Sequence, residues 1–165
     1  MLSVPDWADT YRRLDETGRV WRTEKVEVAR GAMAALTEPG VRTVSIMSAT
    51  QLMKTEVILN AIGRFIHLDP GPILVVQPKD ELAKRFGRSR LGKMIRSTRE
   101  LRDRVAEAKG RDGAATTTWK EFPGGHVMVV SAASPANLAM FANRIVLFDE
   151  VDKYEASSGA EGDPI

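Results

Sequence analysis

Cysteine is absent from this chain of 165 residues, histidine occurs twice, and aromatic residues make up only 6% of it. The missing thiols exclude disulfides, thiolate catalysis and Cys-ligated zinc, and they suit a reducing compartment. His67 and His126 stand far apart in the chain, which argues against a His-rich metal site. No run of eighteen apolar residues occurs, so no membrane-spanning helix is expected. The opening Met-Leu-Ser-Val-Pro-Asp-Trp lacks the basic stretch and apolar core of a secretory signal. Internal repeats and low-complexity tracts are also missing. What is present is ordinary globular material, 43% hydrophobic and 28% charged, in a length that one domain with a real core fills.

Trp7, Tyr11 and Leu14 recur at near-helical spacing, and after a break at Gly18 an Ala-rich stretch runs from Val26 to Leu36. Residues 2–37 therefore read as helical, ended by Glu38-Pro39-Gly40. Val44 to Met47 reads as a short strand, Thr55 to His67 as a helix, and Asp69-Pro70-Gly71-Pro72 as a turn. Ile73-Leu74-Val75-Val76 is a continuous apolar run, the mark of a parallel strand covered on both faces. Asp80 to Phe86 begins another helix, and residues 87–113 are basic and partly helical. Thr116 to Phe122 and Val127 to Ser131 flank Pro123-Gly124-Gly125 as a β-hairpin. Ser134 to Phe141 reads as a short helix with Pro135 in its first turn, and Ile145 to Phe148 as a further buried strand. Strands alternating with helices predict an α/β fold with a mainly parallel sheet, whose ligands sit at the C-terminal strand ends. The expected divisions are a helical segment at 1–40 packed on a core at 41–154, then a polar loop, cut short, at 155–165.

Residues 48–55, Ser48-Ala49-Thr50-Gln51-Leu52-Met53-Lys54-Thr55, lie between the expected strand at 44–47 and the helix after it. A Lys-Thr pair opening a helix after a buried strand is the phosphate-binding arrangement of P-loop NTPases. Backbone N–H groups face the anion, the Lys ammonium reaches the β- and γ-phosphates, and the Thr hydroxyl binds Mg²⁺. Two glycines of the usual pattern are replaced by Ser48 and Met53. If the loop needs a positive φ at Met53, the strain costs on the order of 1–2 kcal/mol.

Ile145-Val146-Leu147-Phe148 delivers Asp149 and Glu150 at its end. In the same chemistry Asp149 holds Mg²⁺ and Glu150 polarises the attacking water as general base. An acidic turn after a strand is the plain alternative for these four residues and the two acids alone. Ser131-Ala132-Ala133-Ser134-Pro135 follows a strand and serves either beside a nucleotide or as a helix cap. Thr116, Thr117 and Thr118 read as hairpin packing, and Trp7, Tyr11 and Trp21 as core. Between Lys79 and Arg111 twelve cations face five acids, a balance that suits either a polyanion or a solvated helical face.

Taken in order, several short patterns resemble one family. They are Trp7-Ala8-Asp9 with Gly18-x-x-Trp21, Arg30-Gly31-x-Met33, Gln51-x-x-Lys54-Thr55-Glu56, and Asp69-Pro70-Gly71-Pro72 with Val75-Val76-Gln77-Pro78. Arg90-Leu91-x-x-Met94-Ile95, Ser134-Pro135-Ala136-Asn137-Leu138, Asp149-Glu150-Val151-Asp152-Lys153-Tyr154 and Glu161-Gly162-Asp163-Pro164 continue the series. The chain resembles the ATPase domain of the GpA-type terminase large subunit of lambda-like phages over nearly its whole length.

The resemblance implies a P-loop NTPase of the additional-strand, helicase- and terminase-like kind, which hydrolyses ATP with Mg²⁺ to package double-stranded viral DNA. It implies a ring of subunits at the portal of a procapsid, a small terminase subunit as partner, no membrane, and the host cytoplasm as location. Lys54 and Glu150 become catalytic, Ser48 to Thr55 the nucleotide loop, and Thr55 and Asp149 the metal ligands. Arg85, Arg88 or Arg90 would contact phosphates or a neighbouring subunit's nucleotide. The chain departs from the family at Met53 (Gly there), near Thr50 (a basic residue) and at Val28 (an aromatic), and it stops some fifteen residues past Glu150, before a nuclease domain. These departures suggest a second reading, a non-hydrolysing remnant that binds DNA or protein, and the similar fold a third, a superfamily-two helicase or translocase.

Overall fold

The computed structural model describes residues 1–14, 18–49, 52–105, 115–134 and 142–154. These fall into two compact units, one formed by Met1–Pro70 with Lys93–Arg104 and the other by Gly71–Gly92 with Val105–Ile165.

The first unit is helical. Helix α1 (Val4–Tyr11) starts at Ser3, which caps it, with Pro5 in its first turn. A 3₁₀ stretch (Thr23–Ala29) leads into α2 (Arg30–Ala35), and α3 (Lys54–Leu68) is the long element. Short helices α5 (Gly92–Ser97) and α6 (Arg99–Arg102) complete the set. Trp7 and Trp21 are core residues, as expected. Trp7 lies on Gly63 of α3, where a Cβ would stand 2.2 Å from its ring, and donates its indole N–H to His67 Nδ1 at 3.0 Å. Only a glycine on α3 admits the ring this closely.

The second unit holds the sheet. Strands β1 (Ile73–Gln77), β2 (Trp119–Phe122), β3 (Gly125–Ser131) and β4 (Ile145–Phe148) lie in the order β2-β3-β1-β4. β1 runs parallel to β3 and β4, and β2 antiparallel to β3, so the expected mixed α/β class with a mainly parallel sheet is what the chain adopts. β1 is buried at every position. On one sheet face Leu74, Val76, Met128, Val130 and Ala132 pack together, with Trp119 and Tyr154 against them. Helix α4 (Asp80–Arg85) runs into a π-helical turn (Phe86–Leu91), and α7 (Ala115–Thr118) precedes β2. In the hairpin turn Gly124 supplies a φ of +89°, and a Cβ on Gly125 would meet the Gly71 carbonyl at 2.4 Å.

Three expectations are corrected. Val44 to Met47 forms no strand: residues 41–47 have no regular secondary structure and are mostly exposed, with Met47 fully so. A strand needs a neighbour to take its backbone hydrogen bonds, and three apolar residues in a run of four do not supply one. Among the described residues β4 is a sheet-edge strand in which Leu147 alone is buried, while Val146 and Phe148 are 43% and 42% exposed. Thr116 to Thr118 are helical, because the π-turn presses Gly87 against the Thr117 carbonyl, within 2.1 Å of where a Cβ would be. That contact overrides the β propensity of threonine. The expected helix at 134–141 lies outside the described residues beyond Ser134, as does the polar tail at 155–165.

Candidate functional site

Each unit carries part of the chemistry foreseen for this chain. In the first, α3 begins at Lys54 without a side-chain cap, and the residue before it, Met53, has φ 60° and ψ 12°. That left-handed conformation is the one a glycine would supply, and Met53 adopts it with a side chain attached. Lys54 donates from Nζ to the Ser48 carbonyl at 3.3 Å, so the ammonium turns back over its own loop. Ser48 Oγ is buried with no hydrogen-bond partner among the described residues. Ala49 and Leu52 are exposed, Met53, Lys54 and Thr55 are half-buried, and Thr50 and Gln51 lie outside the described residues. A helix N-terminus without a side-chain cap, with a lysine folded over it, can receive a phosphate.

The first turn of α3 is anchored from α1. Arg12, 3% exposed, donates from Nη2 to the Glu56 carboxylate, and from Nη1 to the Asn60 side-chain oxygen and, at 3.3 Å, the Glu56 carbonyl. Its guanidinium also lies 5.2 Å from the Trp21 ring. Burial pulls the Arg12 pKa down and Glu56 pulls it back up. Asn60 in turn donates to Met33 Sδ at 3.3 Å.

In the second unit three parallel strands end in polar residues. Gln77, Ser131 and Asp149 stand at or just past the C-terminal ends of β1, β3 and β4, all of them buried. The Asp149 N–H donates to the Val76 carbonyl at 3.0 Å, which continues the ladder one residue past β4. Gln77 Nε2 donates to Asp149 Oδ2 at 3.1 Å. Tyr154 Oη donates to the same Val76 carbonyl at 2.9 Å, and its pKa is pushed well up by burial. Ser131 Oγ accepts from the Ala133 N–H at 3.2 Å.

Glu150, directly after Asp149, is left-handed at φ 55° and ψ 46°. Its carboxylate pairs with Lys153 Nζ at 2.8 Å, a hydrogen bond that raises the lysine pKa. The turn thus sends Asp149 inward, 5% exposed, and Glu150 toward solvent.

A protein-family model described as phage terminase large subunit gpA, ATPase domain, matches residues 16–165. The chain belongs to this family. No curated protein and no solved structure matches it. The gpA ATPase family carries ATP hydrolysis and nucleotide binding, typically with Mg²⁺, in the service of phage DNA packaging. None of the helices among the described residues is long and apolar enough to cross a membrane.

Arg12 and Gln77 were not singled out by sequence reasoning as site residues. Nothing in the residues around Arg12 signals its burial, because its partners lie forty-four and forty-eight positions away. Gln77 had a faint signal, a polar side chain closing a run of four apolar ones.

Proposed function

We propose that this chain is the ATP-hydrolysing domain of a terminase large subunit, which uses ATP·Mg²⁺ to drive double-stranded viral DNA into a procapsid. The observation that carries the reading is a pair of strained residues. Among the described residues only Met53 and Glu150 combine a positive φ with a side chain. They stand at the head of the Lys54-Thr55 helix and at the end of β4, where the chemistry was expected. Such conformations cost of order 1–3 kcal/mol each and cluster at sites where function requires them.

In this reading the N–H groups at the start of α3 and the Lys54 ammonium hold the β- and γ-phosphates, with residues Ser48 to Leu52 forming the loop around them. The Thr55 hydroxyl and Asp149 hold the metal. Asp149 suits this role: it is a buried carboxylate at the end of a parallel strand, and its Oδ2 is held by the Gln77 amide. No group of three potential ligands that could hold a metal occurs among the described residues. Mg²⁺ needs only one or two carboxylates when phosphate oxygens and water complete its shell. Once bound, Mg²⁺ neutralises charge on the phosphate oxygens. Glu150 takes the proton of the attacking water as its oxygen bonds to the γ-phosphorus and the bond to the β-phosphate oxygen breaks. Lys84, Arg85, Arg88 and Arg90 are exposed on α4 and the π-turn, and in this reading they contact DNA phosphates or a neighbouring subunit in a ring on the portal. The small terminase subunit would be a partner, in the host cytoplasm.

Met53 favours a second reading, a remnant that keeps the architecture but binds only DNA or protein. Calorimetric titration of ATP·Mg²⁺ into the chain and into Lys54→Ala separates the two. Binding by the parent that Lys54→Ala abolishes supports the ATPase. Equal binding by both sinks the loop assignment, and no binding to the parent leaves the remnant.

A further inference from the structure

We infer that Gln77 is a positioning residue for metal binding: its side-chain amide holds the Asp149 carboxylate in the orientation in which it meets the ion. The inference rests on the ATPase reading above. Gln77 ends β1, beside Ser131 of β3 in the ladder, and its backbone carbonyl accepts from Ala132 at 2.8 Å. The other side chains of β1 are Ile, Leu, Val and Val.

A buried primary amide without partners costs about 1–3 kcal/mol, so a Gln closing an apolar strand needs something to bond. Its partner is Asp149, 5% exposed like Gln77 itself, at 3.1 Å. A carboxylate only accepts, so the amide must present its NH₂ group. The ladder bond from Asp149 N–H to the Val76 carbonyl fixes the aspartate backbone, and the amide fixes its side chain. Two constraints on one short residue leave the carboxylate little rotation. Partners that orient a ligating carboxylate in this way typically contribute 10- to 100-fold to metal affinity.

The test uses the full chain and Mn²⁺ as a paramagnetic stand-in for Mg²⁺. Free Mn²⁺ is followed by electron paramagnetic resonance in the presence of ATP, and ATP binding is measured separately in EDTA. Gln77→Met, nearly isosteric but without a donor, is expected to weaken Mn²⁺ retention in the ternary complex about 10-fold. Its ATP binding in EDTA should match the parent. Gln77→Asn, which keeps the amide but falls one methylene short, should show the same loss, and it serves as the probe if Gln77→Met folds poorly.

Asp149→Asn is the control. If it loses Mn²⁺ while both Gln77 variants retain it, the positioning role is overturned and the Asp149 assignment stands. If Asp149→Asn retains Mn²⁺ as the parent does, or the parent retains none, the underlying reading fails and takes the inference with it. Equal loss of ATP with and without metal in the Gln77 variants would also overturn the role, since it would mark a general structural defect.

Discussion

Met53 holds a conformation that its own side chain opposes. A left-handed residue other than glycine costs about 1–2 kcal/mol, and replacing it by glycine returns part of that as extra freedom in the unfolded chain. Met53→Gly is therefore expected to raise stability by up to about 1 kcal/mol, and Met53→Val to lower it by about that amount or more. Urea unfolding midpoints would check both, and a loss of stability in Met53→Gly would contradict the left-handed geometry. Arg12 presents the opposite case, a charge buried in company. Removing one member of a buried ion pair leaves the other uncompensated, which typically costs about 3–5 kcal/mol. Arg12→Ala is expected to destabilise by about 3 kcal/mol or more, because the Glu56 carboxylate and the Asn60 amide both lose this donor. A change below about 1 kcal/mol by denaturant titration would mean the arginine is solvated after all.

Elements differ in how far the sequence announces them. β1 was legible because a strand buried on both faces needs an unbroken apolar run, and Ile73 to Val76 is one. The hairpin was legible through Pro123 and Gly124, whose backbone preferences make the turn. α3 emerged within a residue of its expected limits, since its apolar spacing continues from Val57 to Ile66. Val44 to Met47 misled, because apolar character reports a wish for burial and says nothing about whether a neighbouring strand is at hand. Thr116 to Thr118 misled through local propensity, which the tight packing of Gly87 outweighs. At the site, Lys54-Thr55 and Asp149-Glu150 were recognisable as short local patterns. The bond from Gln77 to Asp149 joins residues seventy-two apart and could not be read from either neighbourhood.

At the scale of the whole molecule, acid sensitivity is written into the two histidines. Burial lowers the pKa of both, and Arg104 lowers that of His67 further. A depressed histidine favours the neutral form in the fold, so the unfolded chain takes up protons first as pH falls below about 6.5. Stability is accordingly complete above that pH and declines below it, until the folded-state histidines titrate as well. The thermal midpoint should drop between about pH 7 and pH 5.5. His67→Gln, which keeps an oxygen acceptor for the Trp7 indole, should make the drop shallower. An unchanged slope in that variant would assign the sensitivity elsewhere.

One feature of the sheet bears on how these molecules treat each other. Among the described residues β4 has a ladder partner on one side only, and two of its four side chains, Val146 and Phe148, are apolar and half-exposed. Most soluble proteins blunt such a margin with lysine, proline or a bulge. Neither lysine nor proline interrupts Ile145 to Phe148. Seen from the described residues, that margin carries the chemistry by which sheets grow, a row of backbone donors and acceptors set between apolar side chains.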